Sequence, residues 1–150
     1  MLYRALDTVM PEFRKIFAEH GLTEQQWRIL RVLWEKDEQP LMVVAEKTLL
    51  PSPSLVGIVD RLERDGLVTR RRSQADRRVV YVVLTTAGAR LEEAVSPAVD
   101  AAYAGLIKRM GSRKWHVLLS SLNALVASAT ASEAKKTAKT TANKSKPGRQ

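Results

Sequence analysis

Between positions 61 and 78 the chain carries seven arginines and three acids, and five of those arginines flank one short polar turn in "TRRRSQADRR". A guanidinium is planar, always charged and rich in N–H donors, so its chemistry is the recognition of oxyanions. Immediately upstream lies "PSPSLVGIVDRLERDGL", with hydroxyl-bearing Ser52 and Ser54 at its start. These residue types bind; they do not make or break bonds. The chain has no cysteine, which excludes disulfides and thiol chemistry, and its two histidines, His20 and His116, leave a Cys/His zinc site unsupported. No Ser/His/acid or Cys/His arrangement and no Gly-rich phosphate loop is present, so an enzyme is not expected. No metal or cofactor is expected either.

The location of the charge sharpens this reading. The net charge is +9, and residues 61–78 and 132–150 account for all of it, the second segment carrying six Lys/Arg and one Glu. The remainder holds 12 basic and 12 acidic residues. Charge concentrated in one hairpin region and one tail favours a polyanionic partner over simple solubility. With 150 residues, one domain is expected. No apolar run approaches the roughly 20 residues that span a bilayer, and the start "MLYRALDTVM" has no signal-peptide pattern. A cytoplasmic protein without a membrane partner is expected.

The elements that must position the arginines can be read from periodicity. Leu6, Val9, Phe13 and Phe17 predict a helix over 2–20, stopped at His20-Gly21. Thr23 and Gln26 form a capping box that opens a second helix to about Lys36, with Trp27, Leu30 and Trp34 on one face. "KDEQP" breaks the chain before a short third helix, about Met42 to Leu49. Ser52 as N-cap and Pro53 as first helical residue open a fourth, whose Leu55, Ile58, Val59 and Leu62 form a buried stripe. Its other face offers Ser54, Gly57, Asp60, Arg61 and Arg64, and Gly66 ends it.

Val68–Arg72 and Val79–Leu84 then read as a hairpin around the polar loop. Thr85 or Thr86 caps a fifth helix to about Arg109, with a kink expected at Pro97. Ser112 caps a sixth to about residue 131, whose Trp115, Leu118, Leu119, Leu122, Leu125 and Val126 call for a partner helix. The Lys/Thr/Ala-rich segment 132–150 has no apolar stripe and is expected to be disordered.

A short helix, a tight connection, an amphipathic helix and a hairpin are the elements of a helix-turn-helix with an added wing. Over residues 2–131 the sequence resembles the MarR family of winged helix-turn-helix regulators. "LTEQQWRILRVL" resembles that family's second helix, and "VDRLERDGLVTRRRSQADRRVVYVVLTTAG" its recognition helix, wing and return. The resemblance implies a mainly α fold of six helices with a β-hairpin wing, assembled as an intertwined homodimer. Residues 23–85 would form the DNA-binding lobe, and 2–22 with 86–131 the dimerisation helices. The partner would be a pseudo-palindromic double-stranded operator.

The helix from Ser54 would enter the major groove, and the wing tip the flanking minor groove. Asp76 matches the acid of the family's wing motif and would orient Arg78 by a charge-assisted pair. Arg70, Arg71, Arg72 and Arg77 would neutralise phosphates or contact the flank. Members often carry Thr-Arg in the recognition helix where this chain has Val56 and Gly57, so specificity is expected to rest on Ser52, Ser54, Leu55, Arg61 and the wing.

"FRKIFAEHGLTEQQWRILRVL" is similar to the subgroup controlling aromatic-acid catabolism, the homoprotocatechuate regulator included. That similarity implies a small aromatic acid as effector and repression as the mode of action. Arg14 and His20 match positions that hold ligand carboxylate and ring hydroxyl; Arg28 would supply a further cation and Trp27 a ring surface. Two alternatives remain: a non-specific nucleoid-type DNA-binding protein, and a regulator of this family without a ligand.

Overall fold

A computed structural model describes the backbone of residues 1–144 and the side chains of residues 1–128 other than Ser52. The order is α1 (Leu2–Glu19), α2 (Glu24–Glu35), β1 (Gln39–Pro40), α3 (Leu41–Thr48), α4 (Ser52–Arg64), β2 (Val68–Arg72), β3 (Val80–Leu84), α5 (Thr86–Met110) and α6 (Ser112–Lys144). Met1–Tyr103 form one compact unit, and a second begins at Ala104.

Local chemistry sets the helix limits. Gly21, at φ +70°, terminates α1 in the left-handed conformation that costs glycine least. In the α2 box the Gln26 amide donates to Thr23 Oγ1 and the Thr23 amide to Gln26 Oε1, as expected from the sequence. Pro51, not Ser52, is the N-cap of α4, so the helix opens one residue early. Thr85 caps α5: its hydroxyl oxygen accepts from the Gly88 amide at 3.0 Å and donates to the Gly66 carbonyl at 2.6 Å. The helix continues through Pro97.

The core of the first unit is Phe17, Ile29, Leu30, Leu33, Val44, Leu55, Ile58, Leu62, Val68 and Val82, all under 2% exposed. It joins the helix-turn-helix α3–α4 to α2 on one side and to the sheet on the other. The sheet has three antiparallel strands in the order β1-β3-β2, with Arg70 opposite Val82 and Arg71 opposite Tyr81. Strand β1 is an addition to the expected hairpin. Gln39 and Pro40, read from sequence as a break, pair with Val82 and Tyr81. Asp37 Oδ1 accepts from the Leu84 amide at 2.9 Å beside them.

In the second unit Gly111, at φ +87°, separates α5 from α6. The last helix passes the end expected near residue 131 and reaches Lys144, so 132–144 have helical backbone where disorder was expected. Alanine, lysine and glutamate are strong helix formers, a propensity that acts without an apolar stripe. Residues 145–150 of the expected tail lie outside the described residues. Among the described residues no single helix is long and apolar enough to cross a membrane, and no acid or histidine cluster could hold a metal ion.

Candidate functional site

The solvent side of α4 carries two rows at helical spacing: Val56, Asp60 and Glu63, then Gly57, Arg61 and Arg64. Ser54 is exposed beside them, while the expectation for the Ser52 side chain lies outside the described residues. Leu55 corrects the sequence reading. It is 1% exposed, packed in the core with Ile58 and Val59, and cannot meet a base.

The acids of the first row face strand β2. Arg70 Nη2 and Nε reach Glu63 Oε2 at 2.7 and 3.0 Å, and Nη1 reaches Asp60 Oδ1 at 2.7 Å. The Arg70 amide donates to Glu63 Oε1 at 2.9 Å. These hydrogen bonds hold the Glu63 carboxyl below the usual glutamate range. Arg70 was expected to neutralise phosphates; its charge is instead committed to two carboxylates, and it clamps the wing to α4. Arg71 points to the other side of the strand, pairing with Glu38 and lying 5.7 Å over the Tyr81 ring.

The wing tip has the expected pair. Asp76 Oδ1 accepts from Arg78 Nε at 3.1 Å, Oδ2 from Nη2 at 3.3 Å, and Oδ1 also from the Arg78 amide at 3.0 Å. The Arg78 side chain is nonetheless 91% exposed, so the guanidinium is aimed without being covered. Arg61, Arg64, Arg72 and Arg77 are exposed and belong to no ion pair found among the described residues. Thus α4 and the wing share one cationic margin, with the acids of α4 masked by Arg70.

The expected effector residues do not converge. Arg14 Nε pairs with Glu24 Oε2 at 2.9 Å on the surface, 56% exposed. His20 links α1 to α5: Nδ1 lies 2.9 Å from the Ile16 carbonyl and Nε2 3.1 Å from the Ala94 carbonyl. A neutral imidazole donates to one of these oxygens and an imidazolium to both. Arg28 Nη2 donates to the Thr48 carbonyl and ties α2 to the end of α3. His20 and Arg28 are thus spent on holding helices together, and Arg14 on a surface pair.

Of the four, Trp27 lines a cavity among the described residues. It stacks on Phe17 at 4.6 Å and lines a cleft of about 240 Å³ between α2 and α5. Arg31, Trp34 and Glu35 share its wall, facing Glu92, Ser96, Val99, Asp100 and Tyr103. Arg31 lies 5.4 Å over the Trp27 ring, and Phe13 holds Tyr103 at 4.8 Å. The signal for Arg31 was available: Trp27, Arg31 and Trp34 fall at i, i+4 and i+7 on one helical face.

A helix-turn-helix whose second helix is clamped to an arginine-edged hairpin defines a winged-helix DNA-binding protein. The comparisons agree. The MarR family profile matches residues 22–80. The chain is 37% identical over 117 residues to the HTH-type transcriptional regulator FarR of Neisseria gonorrhoeae, covering 78% of this chain and 80% of FarR. It is 36% identical over 126 residues to the homoprotocatechuate degradative operon repressor of Escherichia coli, covering 84% and 85%. A crystal structure of NadR in complex with 4-hydroxyphenylacetate superposes with TM-score 0.72 at 35% identity, covering 83% of this chain and 88% of that one. The chain belongs to the MarR family of transcriptional regulators. Its relatives are regulators and not enzymes, as the lack of a catalytic constellation in the sequence suggested.

One expected result follows from the wing. Arg78→Ala should weaken operator binding about tenfold, the scale of one good groove contact. Asp76→Ala should weaken it too, although it removes a negative charge. Asp76→Ala tightening operator and random duplex equally, in parallel titrations, would reduce the acid to simple repulsion.

Proposed function

We propose that this chain is a cytoplasmic, homodimeric repressor, released from its operator by a small hydroxylated aromatic carboxylic acid bound between α2 and α5. The observation that carries the effector is the cleft itself. Arg31 is its one cation, set among Trp27, Trp34 and Tyr103, and suits a carboxylate attached to an aromatic ring. Glu35, Glu92 and Asp100 line the same space and only accept hydrogen bonds when ionised, so they favour a ligand that brings hydroxyl donors. The relatives support the reading, since one represses a homoprotocatechuate operon and another holds 4-hydroxyphenylacetate.

The fold offers a route from cleft to DNA. α5 is capped by Thr85, which is hydrogen-bonded to Gly66 and Leu67 at the junction of α4 and the wing. A ligand wedged between α2 and α5 therefore acts on the element that anchors the reading head. Release needs differential affinity only: a hundredfold preference for the DNA-free arrangement corresponds to about 2.7 kcal/mol. The dimer reading rests on apolar surface, with Leu2, Tyr3 and Leu6 exposed on α1 and Val117, Leu119 and Leu125 on α6.

The test is release of labelled operator by 4-hydroxyphenylacetate. Arg31→Met should keep operator affinity and need at least about tenfold more acid, as loss of a charged hydrogen bond implies. Arg14→Ala, which removes only a surface pair with Glu24, should respond normally. Unaltered release from Arg31→Met would remove the cleft from the mechanism.

A further inference from the structure

We infer that Val56 reads the methyl group of a thymine in each operator half-site. This rests on α4 being the helix that enters the major groove. Every other aliphatic residue of α4, Leu55, Ile58, Val59 and Leu62, is at most 1% exposed, whereas Val56 is 41% exposed. Its surroundings keep it accessible. A Cβ on Gly57 would meet nothing within 4 Å, so no side chain hides the valine on that side. One and two turns along the same row stand Asp60 and Glu63, whose carboxylates are held by Arg70.

The charge around this spot identifies what covers it. Arg61 and Arg64 on the adjoining row of α4, and Arg72, Arg77 and Arg78 on the wing clamped to that helix, are all exposed cations, which suits a polyanion and opposes a basic copy of the same chain. Within a DNA major groove almost every edge group is a hydrogen-bond donor or acceptor. The thymine C5 methyl is the apolar one. Valine has no donor or acceptor, so any other base edge pressed against it loses water without a partner. The first turns of a recognition helix are the part that meets base edges, and Val56 lies there. Gly57 beside it has no side chain to make a base contact of its own.

The experiment uses the full chain and duplexes selected by it from a random pool. Thymines of the selected duplex are replaced one at a time by deoxyuridine, which removes only the methyl. The expected result is one position per half-site where wild type loses about fourfold in affinity, the value of one buried methyl. Val56→Ala should bind the thymine duplex about fourfold more weakly and be indifferent to uracil at that position. As Val56 lies outside the core, the variant should melt like wild type. A selected duplex whose methyls are all silent, or equal uracil sensitivity in Val56→Ala, overturns the inference and leaves the reading of α4 intact. A selection that yields no preferred sequence overturns both.

Discussion

Arg70→Ala should weaken operator binding by about 3 kcal/mol, more than the loss of any free wing arginine, because it uncovers two carboxylates on α4, the helix proposed to face DNA. Asp60 and Glu63 lie along α4, and their charge is offset by Arg70 at 2.7 Å from each. Without it, like charges meet across the interface, a situation that costs several kcal/mol. The wing also loses its tether to α4. Adding Glu63→Gln to Arg70→Ala should recover part of the affinity, a non-additivity that a phosphate contact would not show. Arg72→Ala should lower affinity uniformly and reduce the salt slope by about one. Direct titrations of the single and double variants against operator decide the matter; strict additivity would return Arg70 to the phosphate contacts. The clamp is present at neutral pH, since Arg70 hydrogen bonds lower the Glu63 pKa. A depressed carboxylate contributes above its unfolded value and loses that contribution as pH falls through its folded value, so clamp effects should fade only in acid.

Gly88→Ala should destabilise the fold by roughly 3 kcal/mol, the upper end for overpacking, and lower the melting temperature by about 10 °C. A Cβ at Gly88 would stand 2.0 Å from the Leu67 carbonyl oxygen, which is backbone and cannot rotate away. The same oxygen accepts from the Thr85 amide at 3.1 Å, and the Gly88 carbonyl accepts from Trp34 Nε1 at 3.0 Å. Lifting α5 to make room breaks the anchor of the helix and loosens a wall of the α2–α5 cleft together. A thermal melt within about 2 °C of wild type would mean that α5 packs further from Leu67 than described.

Much of this architecture was legible from local rules. The Thr23–Gln26 box, the Leu55–Leu62 stripe and the Asp76–Arg78 pair each depend on residues within one or two helical turns or a tight loop, where spacing dictates contact. What escaped depends on contacts far apart in sequence. Strand β1 has two residues and exists because Tyr81 and Val82 offer a free edge. Arg70 looks like any wing arginine until β2 is laid beside α4. Arg14 and His20 have plausible chemistry for a ligand, yet Glu24 and the Ala94 carbonyl take them first. Arg31 could have been found from its row with Trp27, but its facing wall on α5 required the packing register.

Sequence-specific DNA binding by a dimer is the property on which the proposed function rests. The decisive measurement is affinity and stoichiometry for a selected operator and for its scrambled counterpart, in one buffer of stated salt. The expected result is two chains per operator and at least about a thousandfold preference over the scrambled duplex. A ratio near one, with a steep salt dependence on both duplexes, would contradict it and make the arginines and the lysine-rich segment a general DNA-binding surface.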